Sequence, residues 1–385
     1  MDLRSRTRLL AAGIVLAAAL AFAFRVEKRM VDFTVNYTAG DRLGRGETLY
    51  RTEDEHYQFK YSPYCAMIYL PLSLLPLPAA KGLWFALTVA ATAAVIILTR
   101  RLVGPRPEGL VWASAVWPAV VLAKFFVREI DLGQINALVT AVLLGMTVLL
   151  AQDEARRSPG KAALAGFLWG TAVAMKPYAA IFLPYFFVKR KWNALWSGLL
   201  VLALSFFAPA AFYGFPGNLT VHLEWIESLS RSTPSLLASQ DNVSILAFLA
   251  KKTSDLGLAR LVYGGTVLAL ALAVLLFIRR GRTRPGSLFA EAGLLLMLIP
   301  LVSPLGWDYT FLAAFPAAAL VVAHFRAFPP AFRILLAANF AVIGLSLYDL
   351  LGREAYAAFM NASVLTLNFL VLGAALVALR FSGKA

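Results

Sequence analysis

Apolar residues along this chain fall in long runs separated by short polar stretches, and a helix needs roughly 20 such residues to cross a bilayer. The runs at residues 9–24, 79–99, 110–127, 137–151, 194–212, 258–278, 288–302, 311–324, 334–347 and 364–379 each read as a crossing. Two further runs are interrupted. Residues 63–76 are apolar but short and proline-broken, so residues 63–99 are read as one net crossing entered by a re-entrant or interfacial piece. Residues 162–188 contain Lys176-Pro177 and carry basic residues at both ends, which predicts a broken hairpin of two short helices with its tip at residues 175–178. The pattern therefore predicts an all-α polytopic membrane protein, a single integral membrane domain over residues 1–385 with about 10–12 transmembrane helices.

Charge orients the runs. Of the residues, 60% are hydrophobic and 15% charged, and mean hydropathy is +0.72, whereas a soluble globule carries about 25% charged residues. Lysine and arginine (36) exceed aspartate and glutamate (21) and sit between the apolar runs rather than in one patch. That distribution fits cytoplasmic loops and anionic headgroups, not nucleic acid. Arg4, Arg6 and Arg8 put the amino terminus in the cytoplasm, and Arg380 and Lys384 do the same for the carboxy terminus. Ala21 and Ala23 offer a cleavage pattern, but the many later spans favour an uncleaved anchor. Cys65 is the only cysteine and the three histidines lie in unrelated segments, so neither a disulfide nor a metal is expected, and no cofactor is called for.

With that parity the polar clusters collect on the outer side. Residues 31–61 form the first outer loop and residues 213–244 the second. The first loop offers Asp32, Asp41, Glu47, Glu53, Asp54 and Glu55 as bases, Arg42, Arg45, Arg51 and Lys60 as anion binders, and Tyr37, Tyr50, Tyr57 and Tyr61 as sugar-stacking rings. Asp32, close after the first span, is placed to take a proton from a hydroxyl; a solvated loop acid or a helix cap explains it equally simply. Lys176 inside an apolar run implies a cavity or an anionic partner, with a snorkelling lysine as the plainer account. Gln134 and Asn136 suit a sugar hydroxyl or a helix entrance, and Asp308 in SPLGWDY suits a site or a cap.

These segments, taken in order, resemble glycosyltransferase family 87 of the GT-C superfamily. The likeness rests on VDFTVNYTAGDRLGRGETLY, FKYSPYCAMIYLPLSLLP, LGQIN at 132–136, ALAGFLWGTAVAMKPYAAIFLPYFFVKRKW at 163–192, NVSILAFL and SPLGWDY. It implies a GT-C-like bundle and inverting transfer of a sugar, commonly mannose, from a polyprenyl-phosphate donor to a lipid-linked or glycan acceptor at the outer face of a bacterial-type cell membrane. By position, Asp32 would be the base; Lys176, with Gln134, Asn136, Asp308 and Arg42, would hold donor phosphate or substrate. Where relatives often carry a histidine after Ser-Pro-x-x-Trp, this chain has Asp308. A transporter or flippase of polyprenyl-linked lipid would use the same lysine and outer loops without chemistry. It should also show inverted repeats, and none is visible.

Overall fold

The computed structural model of the protein describes residues 22–103, 108–281 and 287–382. Most of the expected first span, with Arg4, Arg6, Arg8, Ala21, Arg106 and Lys384, lies outside these residues. The described chain is built from helices. They are α1 Val31–Gly44, α2 Pro63–Ser73, α3 Leu77–Val103, α4 Glu108–Val121, α5 Ala123–Leu132, α6 Asn136–Arg156, α7 Pro159–Met175, α8 Leu183–Val188 and α9 Trp192–Phe207. They continue as α10 Ala210–Leu236, α11 Ile245–Ala250, α12 Leu256–Arg280, α13 Ser287–Val302, α14 Phe315–Ala323, α15 Pro330–Leu345, α16 Tyr348–Asn361 and α17 Val364–Phe381. One isolated antiparallel bridge, Asn242 to Trp307, is the β-structure among the described residues.

The protein is an integral membrane protein. Four helices, α3, α6, α12 and α17, are long and apolar enough to cross a membrane unbroken, and two bent pairs, α9 with α10 at 90° and α15 with α16 at 101°, are apolar enough for a broken span or a re-entrant loop. Several expected crossings are thus not single straight helices. Residues 110–127 divide at Leu122 into α4 and α5. Residues 288–302 form α13, in which every residue from Ser287 to Leu301 is buried, so this run fills the centre of the bundle instead of facing lipid. An all-round apolar helix is what either a span or a core rod requires, and periodicity cannot separate them.

Residues 31–61 are less of a loop than the polar count implied. Their first half is α1, and Thr52–Tyr57 is a short 3-10 turn. Its partner α2, the expected re-entrant piece, starts with Ser62 as its cap: Ser62 Oγ accepts from the Cys65 N–H at 3.3 Å and donates to the Ala174 carbonyl at 2.7 Å. That second bond ties the polar segment to the end of α7.

The broken hairpin forms as the sequence demanded. Proline bars its predecessor from helical geometry, and Lys176 is accordingly extended at φ −141°, ψ 111°. Past it, residues Pro177–Phe182 make a 3-10 turn and α8 folds back. Trp169 fastens the fold-back, donating from Nε1 to the Ala179 carbonyl at 3.0 Å and packing on Phe186 at 4.8 Å between ring centroids. Close approach of α7 and α9 holds the hairpin against the bundle. A Cβ on Gly166 would lie 1.9 Å from the Ala194 carbonyl oxygen, and one on Gly198 would lie 2.3 Å from the Trp169 ring.

Gly166→Ala should therefore lower stability by about 1–3 kcal/mol or more, since backbone rather than a movable side chain blocks the methyl. Gly264→Ala, where nothing lies within 4 Å, should be neutral or gain up to about 1 kcal/mol from helix propensity. Thermal midpoints of the two purified variants in one detergent check this, and equal midpoints would remove the close-packing account.

Candidate active site

Three chain breaks bring polar side chains to one end of the bundle. The first is the αL turn at Gly133 (φ +70°) between α5 and α6, where a Cβ would meet Phe33 Cβ at 2.6 Å. Trp84 Nε1 donates to the Gly133 carbonyl at 2.9 Å, fixing the turn against α3. The second is Lys176, at the end of α7. The third is the start of α1, which carries Asp32, Val35 and Asn36 on one face.

A cavity of about 470 Å³ opens between them. Asp32, Lys60, Tyr61, Arg128, Gln134 and Lys176 line it. Gln134 sits in the middle: its Nε2 donates to Asp32 Oδ2 at 2.6 Å, and its Oε1 accepts from the Tyr61 hydroxyl at 3.0 Å and from Lys176 Nζ at 3.4 Å. Lys176 also donates to Asn136 Oδ1 at 2.8 Å, where the Tyr178 hydroxyl donates too at 2.9 Å. The ammonium lies 4.9 Å from the centroid of the Tyr61 ring and 5.6 Å from that of Tyr178. Among the described residues Lys176 forms no ion pair. Two carboxylates lie one amide away from it: Asp32 through Gln134, and fully buried Glu129, which accepts from Asn136 Nδ2 at 2.7 Å and from the Ala137 N–H at 2.9 Å.

Opposite this chain stands Arg128, held by Asp308 at 2.8 Å and Asp241 at 2.6 Å. Asn242 brings those two acids together. Its Oδ1 accepts from the N–H groups of Ser244 and Gly306, and its Nδ2 donates to the carbonyls of Leu237 and Pro304. Asn242 is fully buried, so the Asn-Val-Ser triplet is a structural clasp here.

Asp32 lies in α1, outside the segments long enough to span. Burial pushes its carboxyl above the usual carboxylate range, against the opposing pull of the Gln134 bond and then of Lys176. A carboxylate with a raised pKa, one oxygen held and an adjoining cavity can remove a proton from a bound hydroxyl. A buried cation bonded only to amide oxygens in the same cavity can receive an oxyanion.

A profile of glycosyltransferase family 87 matches residues 59–304, more than half of the chain. The chain belongs to glycosyltransferase family 87. Proteins similar to it include the polyprenol-phosphate-mannose-dependent alpha-(1-2)-phosphatidylinositol pentamannoside mannosyltransferase of Mycolicibacterium smegmatis. That protein is 26% identical over 326 residues, covering 79% of this chain and 72% of its own length. The corresponding phosphatidylinositol mannoside mannosyltransferase of Mycobacterium tuberculosis is 28% identical over 286 residues, 68% of this chain and 61% of that one. An alpha-(1->3)-arabinofuranosyltransferase of Corynebacterium glutamicum is 27% identical over 301 residues, covering 74% and 66%. Among solved structures, ArnT from Cupriavidus metallidurans bound to undecaprenyl phosphate aligns with a TM-score of 0.41 at 14% identity, over all of this chain and 79% of that one. As a family 87 member the protein is a glycosyltransferase.

Of the residues singled out in the sequence, Asp32, Gln134 and Lys176 line one cavity, and Asn136 and Asp308 hold two of its cations. Arg42 does not join them. It faces the other side of α1, where its guanidinium bonds both oxygens of Asp54 and lines a separate cavity of about 510 Å³. The spacing explains why: Thr34, Thr38 and Arg42 share one helical stripe and Asp32, Val35 and Asn36 another. Tyr50 is buried and donates to the Tyr61 carbonyl, and Tyr37 donates to the Leu75 carbonyl, so both serve packing rather than stacking on a sugar. Arg128, Glu129 and Tyr178 were not singled out for the site. Arg128 and Glu129 did carry a signal, standing with Lys124 and Asp131 as charges in the approach to LGQIN.

Asp308→Asn should leave Arg128 with one carboxylate and lower stability by about 1–3 kcal/mol, read as a thermal midpoint. Arg42→Gln should leave glycosyl transfer within about twofold of wild type, since it lies on the far stripe of α1. A large loss of transfer in Arg42→Gln would place it in the reaction after all.

Proposed function

We propose that the protein transfers a sugar, most simply mannose, from a polyprenyl-phosphate donor to a hydroxyl of a lipid-linked or glycan acceptor, with inversion at the anomeric carbon. The observation that carries this reading is the placement of Asp32 and Lys176 on the two ends of the Gln134 amide, facing one cavity. Asp32 is the base that takes the acceptor proton. The acceptor oxygen then attacks the anomeric carbon from the side away from the phosphate, the carbon–oxygen bond to the phosphate breaks, and the leaving polyprenyl phosphate takes that electron pair. Lys176, steadied by Asn136 and Tyr178, stabilises the charge that gathers on the leaving phosphate. Gln134 orients the base, and the Arg128–Asp308–Asp241 cluster shapes the opposite wall. Relatives named for polyprenol-phosphate-mannose dependence support the donor class.

Orientation follows from charge. The cavity lies at the end of the bundle away from Arg100, Arg101, Arg156 and Arg157, which under the positive-inside rule supports catalysis at the outer face of the cell membrane. Residues 31–61 and 213–244 are then the outer segments that cover the acceptor side.

Membranes carrying wild type should transfer radiolabelled sugar from polyprenyl-phosphate mannose. Asp32→Asn should lose about 10²–10⁴-fold in rate, and Lys176→Gln about 10²–10³-fold. Normal transfer by Asp32→Asn would sink the base assignment; no transfer by wild type from any polyprenyl-phosphate sugar would sink the donor class.

The pH profile gives a second check. A carboxyl whose pKa is raised keeps its proton to higher pH, so the base form appears only as pH climbs through that raised value. Transfer should rise with pH along an acid limb placed above the ordinary carboxylate range. A profile flat across that range would argue against Asp32.

A further inference from the structure

A second large cavity, about 980 Å³, lies at the opposite end of the bundle. The helix α6 joins the two ends: Asn136 at its start serves the catalytic network and its last turn, from Asp153, borders this cavity. Its 21 residues span about 30 Å, close to the hydrocarbon thickness of a bilayer. The two cavities therefore sit at opposite membrane surfaces.

The charges around this second cavity do not balance. Lys189 is tied to Glu291 at 2.9 Å, and Lys191 to Asp153 at 3.0 Å and Glu154 at 3.5 Å. Arg101, Arg157 and Arg190 also line it and form no ion pair among the described residues. Two of these arginines are held in left-handed backbone conformation, Arg157 at φ +47° and Arg190 at φ +54°, at the turns that end α6 and precede α9. Non-glycine residues adopt that region at a cost, and their survival there points to a gain elsewhere. The first residues of α7 and α9, Pro159 and Trp192, border the same space, and neither helix has a side-chain cap. The positive ends of the two helix dipoles add to the field there.

What the arginines would bind is constrained by what adjoins them. From Trp192 at the rim, Trp196, Leu200 and Leu204 follow at intervals of four along α9, all exposed. An apolar stripe that begins at a cationic cavity on a membrane surface matches a molecule with an anionic head and hydrocarbon tails. We propose that this cavity is a binding site for the phosphate headgroup of an anionic phospholipid from the leaflet opposite the catalytic face, with its acyl chains laid along the α9 stripe.

The test uses the full chain purified in detergent and exchanged into equal phosphatidylglycerol and phosphatidylcholine, with lipid retention read by native mass spectrometry. Wild type should retain phosphatidylglycerol in preference to phosphatidylcholine. Arg157→Gly with Arg190→Gly removes two cations and supplies the residue that the backbone there favours. This double variant should keep a thermal midpoint at or above wild type and lose at least about tenfold in phosphatidylglycerol retention. Arg326→Gln, a basic residue outside this cavity, should retain lipid as wild type does. Equal retention of the two lipids by wild type, or undiminished retention by the folded double variant, would overturn the proposal. Displacement of the lipid by inorganic phosphate at matched concentration would also overturn it, by making the site one for a soluble anion.

Discussion

A lysine ammonium buried in a membrane bundle must find partners, and here it finds amides and ring faces instead of a carboxylate. That choice governs the end of the molecule that holds the candidate site. A carboxylate in contact would neutralise Lys176 and leave little field for a substrate, whereas the Asn136 and Gln134 oxygens satisfy the donors and leave the charge in place. The arrangement holds because the backbone around it is fixed: Pro177 breaks α7 at the lysine, Trp169 clamps the returning strand of chain, Ser62 ties α2 to Ala174, and the Gly133 turn presents Gln134. The bare glycine contacts between α7 and α9 then seat the whole hairpin.

The sequence made part of this visible. A lysine–proline pair in the middle of an apolar run predicts a broken helix with a charge at its tip, and the break falls at Lys176 as the steric rule requires. LGQIN drew notice as amides at the mouth of an apolar run, where a sugar hydroxyl and a helix entrance were equally open readings, and the fold places Gln134 on the cavity and Asn136 on Lys176. Asp32 was legible as a polar residue near a span, although its helix was not: α1 carries polar residues on two stripes that face two cavities, so it shows no amphipathic period.

Other parts could not be read because they depend on pairing between distant segments. Arg128 meets Asp241 and Asp308 across 113 and 180 residues, and no local pattern announces such a clasp. Arg42 resembled a free anion binder, yet Asp54 twelve residues on takes both of its terminal guanidinium nitrogens. The run that forms α13 resembled a span because a core rod and a lipid-facing helix share a composition; only the neighbours distinguish them. Broken spans add to this, since Leu122 and the bends between α9 and α10 and between α15 and α16 follow from backbone geometry rather than hydropathy.

The two ends of α6 show how one bundle keeps opposite electrostatic tasks apart. At the end that holds the candidate site, the proposed base and the proposed cation share one cavity and must not cancel each other. Direct contact would lower the pKa of Asp32 and pair off Lys176, removing both functions at once. The Gln134 amide prevents this by donating to Asp32 and accepting from Lys176, which keeps the two a full side-chain width apart. At the far end, Lys189 and Lys191 are instead neutralised by direct carboxylate contact, which is the arrangement suited to holding helices together. The difference between an amide link and a carboxylate link is therefore the physical distinction between a lysine available to a substrate and a lysine used up by the fold.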